Sequence, residues 1–253
     1  MANSLKSTEV MAAIILAAML SIAFASAGEA FETDRFPTQA GEIAVTFIGH
    51  GSLMIGFGGT VMHIDPWSEM ADYGTLPDAD IVLITHHHID HLDPVALKEI
   101  VRTETKFVCP AKSAGGHDGA RVIAWGDTLT VDGIGIEAIP AYNLTNLANP
   151  GGGLVHPKGI GNGYILSFGG LRIYVAGETE LVPELAFLAE RRIDIAFVAM
   201  DGVYNMTPAM AAQFVGTFSL RILYPYHFGN ADVGSLNRLL DGTGIDVRIR
   251  NMK

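Results

Sequence analysis

From Gly41 onward the apolar residues fall into short runs separated by glycine-rich and polar breaks. Residues 42–48 alternate enough for a β-strand, and Ser52–Phe57 and Thr60–Ile64 follow around Gly58-Gly59, a pair suited to a tight hairpin. Residues 79–85 are β-branched without polar alternation, the pattern of a strand covered on both faces. Asp93-Pro94 supplies an N-cap and a first-turn proline for a helix over residues 95–102. Further strands are predicted at Lys106–Cys109, at Thr128–Val131 and over residues 134–139.

The succession then returns. Gly49-His50-Gly51-Ser52-Leu53-Met54-Ile55 is echoed by Gly161-Asn162-Gly163-Tyr164-Ile165-Leu166-Ser167. Each leads into Phe-Gly-Gly and a second strand, with a slip of one residue between the two copies. Residues 79–84 are echoed by residues 193–198, and each run precedes a proline-started helix, at Pro94 and at Pro208 within residues 206–218. Similarity over units this long predicts two α/β halves packed as one sandwich, sheets inside and helices outside. Residues 143–163 hold eight glycines and prolines and no strand or helix pattern. Ordered loops of that length often belong to active sites. The tail predicts a helix near residues 233–240 and a last strand over residues 245–249.

The first forty residues have another pattern. After Lys6, residues 10–28 are uncharged with an apolar centre, and Ala25-Ser26-Ala27 gives a small-x-small cleavage pattern. This predicts a signal peptide over residues 1–27, a linker over residues 28–40 and a working domain over residues 41–253. An uncleaved anchor is the alternative, since the stretch is about long enough to span a bilayer. Either way the domain is expected outside the cytoplasm, in a bacterial periplasm, with no membrane span once the signal is cut.

Composition narrows the classes. A chain of 253 residues, 49% hydrophobic, is large enough for a substantial core. Its net charge of −11 argues against a nucleic-acid binder, which gathers cationic charge to displace counterions. Cys109 is the single cysteine, so an intramolecular disulfide and a Cys-rich zinc module are both excluded. The sequence says nothing about oligomeric state.

The informative chemistry is Thr85-His86-His87-His88-Ile89-Asp90-His91-Leu92-Asp93, placed where a buried strand ends and a helix begins. Four imidazoles and two carboxylates within eight residues repel or waste one another unless a cation lies between them. Neutral imidazole and carboxylate suit zinc, iron or manganese, and the lack of thiolates points to a catalytic, water-holding site.

The segment resembles the signature of the metallo-β-lactamase fold, and the other motifs occur in order. His63-Ile64-Asp65-Pro66-Trp67 is similar to the strand whose terminal aspartate orients the histidine loop, so Asp65 is expected to brace it without binding metal. Gly177-Glu178-Thr179 corresponds to the family's Gly-Asp-Thr, His156 stands where a third histidine is expected, and His227 in Tyr224-Pro225-Tyr226-His227-Phe228 matches the final ligand. Gly49-His50-Gly51-Ser52, Ala141-Tyr142-Asn143, His156-Pro157-Lys158-Gly159 and Met206-Thr207-Pro208 resemble the ascorbate-6-phosphate-lactonase-like branch.

The resemblance implies a four-layer αββα sandwich of the α/β class and two divalent metal ions, zinc first, manganese or iron as alternatives. It assigns His86, His88 and His156 to one ion, Asp90, His91 and His227 to the other, and Glu178 between them. A metal-bound hydroxide would attack a small ester, lactone or phosphate-bearing substrate, with Asp90 orienting it and shuttling a proton. His50, Asn143 and Lys158 are offered as substrate contacts. Glu178 departs from the usual aspartate by one methylene, which leaves three readings: it bridges, it binds one ion, or the second site is lost. Two other functions stay open, a phosphodiesterase acting on lipid-derived substrates and a non-catalytic periplasmic metal-binding protein. His87 is expected to point away, His63 to be a buried, hydrogen-bonded histidine, and Cys109 an inert core thiol.

Overall fold

The computed structural model describes residues 31–253, so the expected signal peptide over residues 1–27 lies outside the described residues. Two seven-stranded sheets face each other. The first runs in chain order through β1 (Thr33–Thr38), β2 (Gly41–Gly49), β3 (Ser52–Phe57), β4 (Thr60–Ile64), β5 (Ile81–Leu83), β6 (Lys106–Cys109) and β7 (Arg121–Val122). The second holds β8 (Thr128–Val131), β9 (Ile134–Ala141), β10 (Gly161–Phe168), β11 (Leu171–Val175), β12 (Ile195–Ala199), β13 (Ile222–Tyr226) and β14 (Asp246–Val247).

In each sheet the first four strands pair antiparallel and the rest parallel, so β1–β7 and β8–β14 correspond one to one. The echo read in the sequence is the correspondence of β3 with β10 and of β5 with β12. Helices α1 (Pro94–Ile100) and α2 (Pro208–Val215) follow β5 and β12, each with proline in its first turn. Their caps are Asp93, which accepts from Val95 N, and Thr207, which accepts from Met210 N.

Alternation along β5 shows how the layers are built. Ile81 and Leu83 join the large core that contains residues of both sheets, while Val82 faces a smaller cluster with Leu97 and Ile100 of α1. His63 lies on the same outer side as Val82, its neighbour in register. It is buried, its Nε2 lies 3.0 Å from the Pro77 carbonyl oxygen, and burial pushes its pKa down to about 4. It is thus a neutral structural histidine.

Two expectations change. The linker predicted over residues 28–40 contains β1, because Phe36 is buried and Asp34 is tied down far from its own strand. The Asp34 carboxylate accepts from the Tyr224 hydroxyl and, at 2.8 Å, from Arg250. Charged residues and Pro37 mark β1 as an edge strand that resists further pairing. The tail helix divides into a 3-10 turn, Val233–Ser235, and a short helix α3 (Leu236–Leu239), and the last strand shrinks to β14. No helix among the described residues is long and apolar enough to cross a membrane.

Candidate metal centre

The candidate ligands sit largely in the loops that leave the strand ends, His86 to His91 after β5, Glu178 after β11, Asp201 after β12 and His227 after β13, with Asp65 behind them after β4. His50, Asp65 and His227 adopt left-handed backbone at φ 52°, 47° and 45°. Such conformations cost energy in residues with a Cβ and concentrate at functional sites. Gly51 has its own reason: a Cβ there would stand 2.9 Å from His91 Cε1.

Beside a smaller group of Glu178, Asp201 and His227, the side chains form two groups of four whose ligand atoms lie within 4.8 Å of one another: His86, His88, His156 and Glu178, and His50, Asp90, His91 and His227. Glu178 touches both. Its Oε2 lies 2.9 Å from His86 Nε2, 2.9 Å from His156 Nε2 and 3.3 Å from His91 Nε2, and its Oε1 lies 3.3 Å from His227 Nε2. The extra methylene therefore brings the carboxylate to the middle of the cluster. Asp90 Oδ2 is 3.7 Å from both His91 Nε2 and His227 Nε2, and 3.3 Å from His50 Nε2.

Buried polar atoms behind the cluster fix these rings. Asp65 is fully buried and accepts from Thr85 N at 2.7 Å, Thr85 Oγ1 at 2.6 Å and His91 Nδ1 at 2.8 Å. That leaves His91 Nε2 facing the centre. Asn143, offered by the sequence as a substrate contact, is also fully buried. Its Oδ1 accepts from His156 Nδ1 at 2.7 Å, so it orients a candidate ligand from behind. Lys158 is paired with Glu184 at the surface and stands 5.2 Å from the Tyr142 ring centre. His50 is partly exposed within the second group, its ring 3.7 Å from that of His227 and 4.9 Å from Trp67. His87 belongs to neither group.

Three polar residues escaped the sequence reading. Asn205 donates to Glu178 Oε1 at 2.8 Å and to Asp201 Oδ2 at 3.0 Å. Asp201 also gathers the backbone N–H groups of Val203, Tyr204 and Asn205, and its Oδ2 lies 3.4 Å from His227 Nδ1. Glu180 accepts from Leu144 N, Thr145 N and Asn146 N at 2.6 to 2.9 Å and pins the long loop after β9. Asp201 was the most legible of these, because it follows β12 as the histidine loop follows β5.

The electrostatics match a cation site. Burial opposes charge on Glu178, but His227, His156, His86 and His91 outweigh it and hold the carboxylate well below its usual range. Burial also opposes charge on His227, yet Glu178, Asp201 and Asp90 lift its imidazole to about 9. His91 is lifted likewise by Asp65 and Glu178 against its own burial, while burial and the charge of His91 push His86 down. Four buried ring nitrogens that face Glu178, the Nε2 atoms of His86, His91, His156 and His227, have no hydrogen-bond partner. Orphaned buried nitrogens cost about 1–3 kcal/mol each, and convergence on one carboxylate is the arrangement that divalent cations satisfy.

Comparison with known proteins agrees with this geometry. A beta-lactamase superfamily domain model matches residues 44–227. A UPF0173 metal-dependent hydrolase of Anaeromyxobacter dehalogenans is 31% identical over 212 residues, covering 75% of this chain and 76% of that protein. A crystal structure from Parabacteroides distasonis, of a protein assigned as a metal-dependent hydrolase, is 44% identical with a TM-score of 0.82, covering 88% of this chain and 100% of that one. A metallo hydrolase from Ignicoccus hospitalis shares the fold at 23% identity and a TM-score of 0.68, over 83% of this chain and 95% of its own. With two corresponding α/β halves, a histidine loop at the end of β5 and matches of this extent, the chain belongs to the beta-lactamase superfamily and has the metallo-β-lactamase fold.

Proposed function

We propose that the chain, a metal-dependent hydrolase by family, binds two divalent ions, zinc first and manganese or iron as alternatives, and cleaves a small ester, lactone or phosphate-bearing molecule outside the cytoplasm. The observation that carries this reading is Glu178, one carboxylate in contact with histidines of both groups. His86, His88 and His156 would hold one ion and Asp90, His91 and His227 the other, with Glu178 between them.

Bound ions would supply Lewis acidity and bring the pKa of water toward neutrality. The protein's side chains do the positioning. Asp65 and Asn143 fix the faces that His91 and His156 present. Asp90 remains a quarter exposed, and His227, His50 and His91 overcome its burial and hold it ionised. It is therefore placed to take a proton from the attacking water at Oδ2 and return it to the leaving oxygen. The inclusion of lactones among these substrates rests on the motifs that resemble the lactonase-like branch, and export rests on the signal-like N-terminus.

Metal content and turnover of the purified protein test this reading. Two ions per chain and hydrolysis of lactones or esters are expected. One ion at saturation overturns the two-ion assignment. Activity on a phosphodiester alone selects the phosphodiesterase, and tight metal binding without turnover selects the non-catalytic protein.

Metal binding should also release protons. His91 and His227 hold protons at neutral pH in the metal-free protein, since both are raised. Their stabilisation is complete below the unfolded value of about 6.5 and is lost as pH climbs through about 9 for His227. A cation must displace these protons, so affinity should rise with pH from 6 to 9. Calorimetry at pH 7.5 in two buffers of different ionisation enthalpy should report about two protons released per saturated chain. Asn205→Ala removes the amide that holds Glu178 Oε1 and should weaken zinc binding about tenfold, measured by competition with a chromophoric chelator.

A further inference from the structure

Three loops carry or brace the candidate ligands: residues 86–91, 143–147 and 201–205. Single exposed apolar residues are ordinary on any protein, but their distribution here is uneven. Of the nine large hydrophobic side chains exposed among the described residues, five stand on these loops: Ile89, Leu144, Leu147, Val203 and Tyr204. The same three segments contain no lysine or arginine.

These loops are held in place. Asn143 Nδ2 donates to the Tyr204 carbonyl at 2.8 Å, and Asn146 Nδ2 to the Asn205 carbonyl at 3.2 Å, so residues 143–147 and 201–205 run side by side. Glu180 fixes the first of them and Asp201 the second through backbone N–H groups. Of their carboxylates, Asp201 is turned toward Asn205 and His227, and Asp90 toward His50. Lys158, the cation nearest in sequence to His156, lies outside these three segments and pairs with Glu184 at the surface.

We propose that the substrate carries an uncharged apolar arm beside its scissile bond, an alkyl or aryl acyl group, and that Leu144, Leu147, Val203 and Tyr204, together with Ile89 of the histidine loop, receive it. This inference rests on the reading of the centre as a metal-dependent hydrolase. It selects among that reading's substrates: esters and lactones with an apolar acyl portion over small polar phosphates.

The test uses the zinc-loaded protein and two series. Hydrolysis of p-nitrophenyl esters from acetyl to octanoyl should show kcat/KM rising about two- to fourfold per methylene before levelling off. Affinity for alkyl hydroxamates of the same lengths, which reports on the arm without turnover, should rise in parallel. In the Leu144→Ser/Tyr204→Ser double variant the octanoyl-to-acetyl ratio should fall at least tenfold in either readout. A flat dependence on chain length in both series, no hydroxamate binding, or an undiminished ratio in the variant overturns the arm. Chain-length-dependent binding with no ester or lactone hydrolysis overturns the hydrolase and leaves the arm standing.

Discussion

Glu178→Asp is expected to lower kcat about 100-fold and to reduce bound metal below two ions per chain, although aspartate is the family's usual residue at this position. The carboxylate of Glu178 is drawn simultaneously toward His86, His156, His91, His227 and Asn205, at 2.8 to 3.3 Å. Removing one methylene withdraws it by about 1.5 Å, one carbon–carbon bond. The backbone has little room to follow. Gly177 turns at φ 64°, and a Cβ there would stand 2.7 Å from the Asn162 carbonyl. Misplacement by about 1 Å costs on the order of 100-fold in a preorganised site. Steady-state kinetics with elemental analysis of the same sample checks both parts. A variant that gains an ion and activity would instead mark the natural site as degenerate.

Asp65→Ala is the substitution expected to cost most stability. It strands the Thr85 N–H, the Thr85 hydroxyl and His91 Nδ1 in a fully buried position. A buried group pair broken on one side costs about 3–5 kcal/mol. For a domain of this size that lowers the midpoint by about 10 °C, readable by calorimetry of the metal-free protein. Metal affinity should fall as well, because His91 loses the partner that selects its tautomer. Asp65→Asn keeps the volume and one acceptor, so it should recover about half the stability while leaving affinity low.

The centre and the sheets were legible to different degrees, for physical reasons. Strands β3, β4, β6 and β8 follow from short apolar runs between glycine, proline and polar breaks, and their limits match the sequence reading. Strand β1 was hidden because its single buried side chain, Phe36, sits among charges, and its pairing depends on Asp34 reaching Tyr224 and Arg250. The histidine loop was legible because its ligand candidates lie within six residues. Asn205 and Glu180 were not, because their partners lie 27 and 34 to 36 residues away and neither belongs to a motif. Asn143 was legible as a position and misread in role: only the fold shows that its amide backs His156.

The pairing of the two sheets has a mechanical consequence. Residues from His50 to His227 converge on one point, and a chain with a single cysteine has no disulfide to close those long loops. Bound ions would act as its cross-links, tying the ends of β5, β11 and β13 as a staple ties layers. Their contribution to folding then follows free metal concentration, about 2.7 kcal/mol at 100 times the dissociation constant for one site. In surroundings that swing between metal-rich and metal-poor, the lifetime of this protein against proteolysis would be set by metal supply as much as by its core.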